Sequence, residues 1–255
     1  MVFEVRQSEK VAPLFEGCRD TMIWSCLQNM MWHLYTNSIE MPVSAMALLG
    51  DFCFFVGKPD RELVLYKPEW CEQDFVIMVP ENKGWEELIV SCYQEKAKKV
   101  TRYAVKKEPD VFDRAGLENA VEGLPDGYVI KMIDEELFLY CKENSWCRDF
   151  VSQYADYEMY QNCGLGVVVL KGGEVVSGAS SYSGYRGGIE IEVDTKEEFR
   201  RRGLAYVCCA KLILECQKRG WYASWDAQNK WSLSLAEKLG YHYERDYTVY
   251  EIYGY

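Results

Sequence analysis

Three consecutive arginines, Arg200, Arg201 and Arg202, stand directly before Gly203, Leu204 and Ala205 in a chain whose formal net charge is −11. A strand-like alternation, Ile189 to Val193, leads into them. A helical repeat of Leu204, Cys208, Leu212 and Cys216 leads away. A glycine turn at a helix start presents unpaired backbone N–H groups, and the helix dipole favours an anion there. With arginine added, the combination suits a pyrophosphate. A solvated helix start with a merely structural turn is the competing reading. The segment has neither the Gly-Lys-[Ser/Thr] of a P-loop nor a Gly-x-Gly-x-x-Gly after a first strand.

Two carboxylates precede the turn. Glu190 and Glu192 alternate with Ile189, Ile191 and Val193, which places both on one strand face. Such groups can serve as a general base; a solvated sheet face is the alternative. Downstream, a strand-like Gly220 to Trp225 is followed by Asn229-Lys-Trp-Ser232 and then Leu235-Ala-Glu-Lys238-Leu-Gly240-Tyr241. Asn229 also suits a plain helix cap.

The pair Arg200-x-x-Gly203-x-Ala205 and Asn229 to Tyr241, in that order with a strand between, resembles the GNAT N-acetyltransferase superfamily. The resemblance covers residues 126–255, and the full-length pattern looks most like the zwittermicin-resistance type. It implies transfer of an acetyl group from acetyl-CoA, as cosubstrate and without a metal, to a primary amine of a small molecule, an amine antibiotic among the candidates, by direct attack in a ternary complex. Arg200, Arg201, Arg202, Gly203, Leu204 and Ala205 would hold the pyrophosphate. A backbone N–H near Val193 would polarise the thioester carbonyl. Asn229 and Ser232 would contact the pantetheine arm or fix its neighbouring backbone. The same resemblance makes Glu190 and Glu192 the candidate bases. One position departs from the family pattern: Ala236 stands where many members carry a tyrosine acid, and Tyr241, Tyr243 and Tyr247 are the nearby substitutes. A catalytically weak, CoA-binding regulatory module is therefore the alternative to an acetyltransferase.

The 29 Lys+Arg against 40 Asp+Glu in 255 residues argue against a nucleic-acid partner. No apolar run is long enough to span a bilayer, and the N-terminus lacks signal-peptide order, so the expectation is no membrane and a cytoplasmic location. The 11 cysteines have no Cys-x-x-Cys spacing and read as reduced thiols. With two histidines, His33 and His242, no metal site is expected. His33 reads as a core residue on an apolar helical stripe. The aromatic surplus is compatible with a homodimer. Trp146, Tyr154, Tyr157 and Tyr160 fall where the resemblance places the acceptor site; they read as an aromatic wall for a cationic amine, or as core packing.

The elements that must position these residues follow from periodicity. The first half predicts a helix over 18–35, strands at 52–56, 62–65 and 75–79, and helices at 85–97 and 112–121. Gly123 to Gly127 concentrates turn residues and marks an expected boundary between domains 1–125 and 126–255. The second half predicts a strand at 128–133, helices from Asp134 and over 145–162, three antiparallel strands, a helix over 204–219, then strand, helix and strand. The fold class is α+β: a mixed, mostly antiparallel sheet flanked by helices, behind an N-terminal α/β domain. Two readings of that N-terminal domain are a part of the acceptor site and a degenerate copy of the same fold that shapes the acceptor pocket.

Overall fold

The computed structural model describes residues 1–255. The chain divides into two compact units, Met1–Arg102 with Asp246–Tyr255, and Tyr103–Arg245. The seam therefore falls between Arg102 and Tyr103, not at the Gly123–Gly127 turn. That turn lies inside the second unit, because Leu117 just before it is buried in the second unit's core.

In the first unit, β1 (Phe3–Glu4), α1 (Thr21–Leu27), β2 (His33–Thr36), β3 (Ser44–Leu49), β4 (Phe52–Gly57), α2 (Arg61–Val64), β5 (Phe75–Pro80) and α3 (Lys83–Tyr93) follow one another, and β6 (Ala97–Val105) begins there and continues past the seam. β1 to β4 form an antiparallel meander, and β5 joins β4 in parallel. Trp85 and Ile89 of α3 pack into a core with Tyr35, Phe55 and Val76. Asn82 starts that helix, its Oδ1 accepting from the Gly84 and Trp85 amides at 3.0 and 3.3 Å.

Several local expectations are corrected here. The helix expected over 18–35 stops at Leu27, and the chain turns through Asn29 and Trp32, both at positive φ, into β2. His33 is thus a strand residue, its side chain 37% exposed and its Nδ1 2.6 Å from Glu4 Oε1, not a core residue. The strand expected at 62–65 is a single helical turn, because Asp60 caps the Glu62 and Leu63 amides. β3, buried throughout, leaves no strand signal in the sequence: Ser-Ala-Met-Ala-Leu-Leu has no β-branched residue, and its burial comes from its neighbours.

The second unit continues with α4 (Arg114–Glu122), β7 (Tyr128–Met132), α5 (Glu135–Glu143), α6 (Tyr157–Cys163), β8 (Gly166–Lys171), β9 (Glu174–Tyr185), β10 (Gly188–Thr195), α7 (Leu204–Lys218), β11 (Tyr222–Ser224), β12 (Asp226–Ala227) and α8 (Lys230–Leu239). The last strand, β13 (Tyr243–Tyr253), returns to the first unit from Asp246 and pairs antiparallel with β5. The second unit's sheet has the order β11-β10-β9-β8-β7, with only β10 and β11 parallel. Gly172 and Gly173, at φ +60 and +87, form the tight turn between β8 and β9. The fold is α+β, with mixed, mostly antiparallel sheets flanked by helices.

Both faces of this sheet are covered. On one, Leu204, Cys208, Leu212 and Cys216 of α7 pack against Val167, Val169 and Ala179. Each fully buried leucine there contributes roughly 1.5–3 kcal/mol. On the other, Phe138, Phe150, Tyr154 and Tyr160 are buried, with the Tyr154 hydroxyl donating to Ser181 Oγ at 2.7 Å. The helix expected over 145–162 is only a 3-10 turn at Arg148–Phe150 and then α6, which starts afresh because Asp156 caps the Met159 amide.

The outer side of α7 carries an ion cluster. Burial works against the Glu215 charge, but hydrogen bonds from Lys211 and Lys218, both 2.8 Å, prevail and hold its carboxyl down at about 2. A depressed folded-state pKa means stability that is present above the unfolded value and lost as pH falls towards 2. Urea midpoints measured between pH 5 and pH 2.5 should therefore fall more steeply in the wild type than in Glu215→Gln. Equal slopes would mean that the cluster adds nothing.

Candidate functional site

The second unit's sheet opens at one place. β11 pairs with β10 only from Gly188↔Tyr222 to Glu190↔Ser224. Beyond Ser224 the chain leaves, and β12 pairs instead with Tyr103 and Ala104 of β6. Ile191 to Thr195 of β10 therefore have no strand beside them on that edge, and a wedge opens whose apex is Glu190 and Ser224. The ladder to β9 also slips between Glu190 and Ile191, a bulge at the same point. Val193 lies along the open part of β10, half-buried.

The wedge leads towards the arginine turn. Gly203 is the N-cap of α7 at φ +80, and no side chain caps the helix. Asp60, Asn82, Asp134, Asp156 and Asn229 each cap their helix with a side-chain oxygen, whereas α1 and α4, like α7, have none. The 15-residue α7 thus begins with open amides at Leu204 and Ala205 and the positive end of its dipole. Arg200 Nε donates to the Thr195 carbonyl at 2.9 Å, and Arg202 donates to the Glu198 carbonyl at 2.9 Å and to the Tyr128 hydroxyl at 3.2 Å. Arg201, exposed and at φ +60, has no such tether.

At the apex, Glu190 is only 4% exposed. Its register partners on either side are Ser183 of β9 and Ser224 of β11, both fully buried. Ser224 Oγ accepts from Lys107 Nζ at 2.9 Å, and Ser183 Oγ has no hydrogen-bond partner. Hydroxyls on either side and an ammonium beyond Ser224 favour the ionised carboxylate, the form that can take up a proton. Ile189 lies in the core cluster with Ile191 and Val193 packed against it, so the expected alternation puts Glu190 and Glu192 on the other face. Glu192 is further along the wedge and half-buried. Lys107, Ser183 and Ser224 carry no motif; Lys107 lies 117 residues from Ser224, and only the fold joins them.

The remaining expected residues divide. Asn229 Oδ1 accepts from the Trp231 and Ser232 amides, both at 2.9 Å, so it fixes the start of α8. Ser232 Oγ accepts from Trp225 Nε1 at 3.1 Å. Ala236 is buried in the core. Of the substitute tyrosines, Tyr241 is buried and spends its hydroxyl on the Ala223 carbonyl at 2.6 Å; burial pushes its pKa well up. Tyr154 and Tyr160 are core residues with hydroxyls on Ser181 and Ser180, not a wall open to ligand. His242 pairs with Glu108 at 2.8 Å. No group of three or more His, Cys, Asp or Glu side chains is placed to hold a metal ion, and no helix is long and apolar enough to cross a membrane.

Comparison with known proteins agrees with this geometry. The model of the family described as GNAT acetyltransferase matches residues 12–250. This chain belongs to the GNAT acetyltransferase family. GNAT enzymes use acetyl-CoA as cosubstrate. Among solved structures, a GCN5-related N-acetyltransferase-like protein from Streptococcus suis 89/1591 is similar at 44% identity and a TM-score of 0.91, over 96% of this chain and 98% of that one. The uncharacterized N-acetyltransferase YdfB of Bacillus subtilis (strain 168) is 30% identical over 199 residues, 66% of this chain and 73% of that protein. A tandem GNAT protein from the clavulanic acid biosynthesis pathway shares the fold alone, at 10% identity and a TM-score of 0.55, over 100% of this chain and 98% of that one.

Proposed function

We propose that the second unit transfers an acetyl group from acetyl-CoA to a primary amine of a small molecule, by direct attack in a ternary complex. The single observation that carries this is the wedge between β10 and β12, with a buried carboxylate at its apex and an uncapped, arginine-flanked helix start at its end. The amides of Leu204 and Ala205, with Gly203 and Arg200 to Arg202, hold the pyrophosphate. Val193 contributes a backbone N–H to the thioester carbonyl, and Asn229 and Ser232 shape the wall of the pantetheine channel through α8.

Acetyl-CoA supplies an activated acyl carbon. The amine nitrogen forms the new C–N bond, its proton passes to Glu190, and the C–S bond breaks with the electron pair leaving on CoA sulfur. Glu190 is preferred to Glu192 because it is the buried one and sits where the two strands part. CoA thiolate is a good leaving group, which suits a site with Ala236 in place of a tyrosine acid.

The chain's charge of −11 favours a cationic acceptor, and an amine antibiotic of the zwittermicin kind is one that fits. The first unit reads as a second, degenerate copy of the fold. Its β2-β3-β4 meander, α2, parallel β5 and α3 follow the same order as β8-β9-β10, α7, parallel β11 and α8, yet its α2 is one turn long and lacks the arginine–glycine start. Likeness over the whole chain to a tandem GNAT protein supports that reading.

The test is thiol release from acetyl-CoA across a panel of polyamines, aminoglycosides and peptide amines, beside calorimetric titration with acetyl-CoA alone. Turnover with any amine supports the transferase. Binding without turnover across the panel supports the regulatory module that Ala236 suggests, and no binding sinks both.

A further inference from the structure

We propose that a cavity at the far end of α7 is a second small-molecule site, selective for a primary ammonium carried on an aromatic body. The cavity has a volume of about 360 Å³ and lies within the second unit. Its walls include Asp110, Phe112, Gln217, Trp221 and Tyr222. Gly203 and Gly220 bracket the 15 residues of α7, so the cavity is about 22 Å along the helix from the arginine turn. Glu190 does not line it.

Three observations specify the occupant. Gln217 lines the wall, and its Oε1 is buried without a hydrogen-bond partner, an acceptor that a side-chain rotation would bring to an N–H donor in the cavity. Asp110, exposed at the rim, has no ion pair or hydrogen bond in the protein, so its carboxylate is available. Arg114, the cation on the wall, is already bonded through Nε to Glu118 at 2.9 Å. Two acceptors and a neutralised cation select a positively charged donor.

The body of the ligand is set by the rings. Phe112 and Tyr222 both line the cavity, with centroids 6.1 Å apart at 32°, and the Tyr222 hydroxyl is engaged by the Lys106 carbonyl. Trp221 adds a third ring. At Gly187 and Gly220, φ +95 and +66, an added Cβ would meet no atom within 4 Å, so the walls leave open space at both turns. Aromatic faces also attract an ammonium directly.

The test follows the Trp221 indole N–H by NMR in the full chain without acetyl-CoA, assigned with Trp221→Phe. The probe is 2-phenylethylamine and the neutral control is 2-phenylethanol. The expected result is a saturable shift with the amine and binding at least about tenfold weaker with the alcohol. Gln217→Leu and Asp110→Asn should each weaken the amine by about tenfold, and Glu190→Gln should leave it unchanged. Asp110 is exposed, so its variant keeps the proposal testable if Gln217→Leu fails to fold. No saturable shift up to the probe's solubility would overturn the site. Equal binding of amine and alcohol would overturn the ammonium assignment. A shift lost in Glu190→Gln but kept in Asp110→Asn would place the probe at the acetyl-acceptor pocket and overturn the second site, while leaving the transferase reading standing.

Discussion

Gly203→Glu is expected to weaken acetyl-CoA binding by at least about 100-fold in a calorimetric titration. Gly203 is at φ +80, in the left-handed region that costs an L residue about 1–2 kcal/mol. An added Cβ there meets no atom within 4 Å, so bulk against the protein is not the cause. The larger effect is charge. A carboxylate placed among the open amides of α7 competes with the pyrophosphate for them and repels it; at roughly 4 Å and an effective dielectric of about 20 that repulsion is worth about 4 kcal/mol. That alone exceeds the ~2.7 kcal/mol that corresponds to 100-fold, and the backbone strain adds to it only to the extent that the free turn relaxes out of the left-handed region. Gly203→Asn separates the two contributions: asparagine tolerates the left-handed region and carries no charge, so it should stay within about tenfold of the wild type. Ligand-induced thermal stabilisation should vanish in the glutamate variant and persist in the asparagine one. If the glutamate variant binds as the wild type does, the turn does not hold the pyrophosphate.

Glu190→Gln is expected to lower kcat/KM by about 10²–10⁴, the usual worth of a positioned base, while acetyl-CoA affinity stays unchanged. Glutamine keeps the shape and loses the proton-accepting charge, and Glu190 is far from the pyrophosphate turn in the wedge. The part of the rise in activity with pH that the carboxylate sets should be lost in this variant, leaving the limb set by the amine's own ionisation, because only the ionised carboxylate can take the proton. Glu192→Gln should cost less than about tenfold, since its half-buried carboxylate stands off the apex. A large loss in Glu192→Gln with none in Glu190→Gln would exchange their roles. Comparable activity in both variants would leave the deprotonation to water.

The sequence by itself determined the local chemistry of the second unit. The four-residue repeat of Leu204, Cys208, Leu212 and Cys216, Gly203 before it and three arginines before that specify a helix and its uncapped, arginine-flanked start without any distant partner. Gly172-Gly173, Asp134 and Asn229 likewise act through their own neighbours, which is why the turn and the helix starts at these positions were legible. Where two local signals competed, the reading failed. His33 sits at helical spacing from Met22, Cys26 and Met30, yet β2 claims it because pairing with β1 and β3 outweighs a short helix's propensity. Alternation placed Glu190 and Glu192 together, but could not rank them. Their difference arises from where β11 departs from β10, a property of strand pairing. The same holds for Lys107 on Ser224, for the unfilled acceptor of Gln217 and for the passage of β13 into the first unit. Each depends on which distant segments the sheet brings side by side, and burial against a distant strand leaves no periodicity in the chain that supplies it.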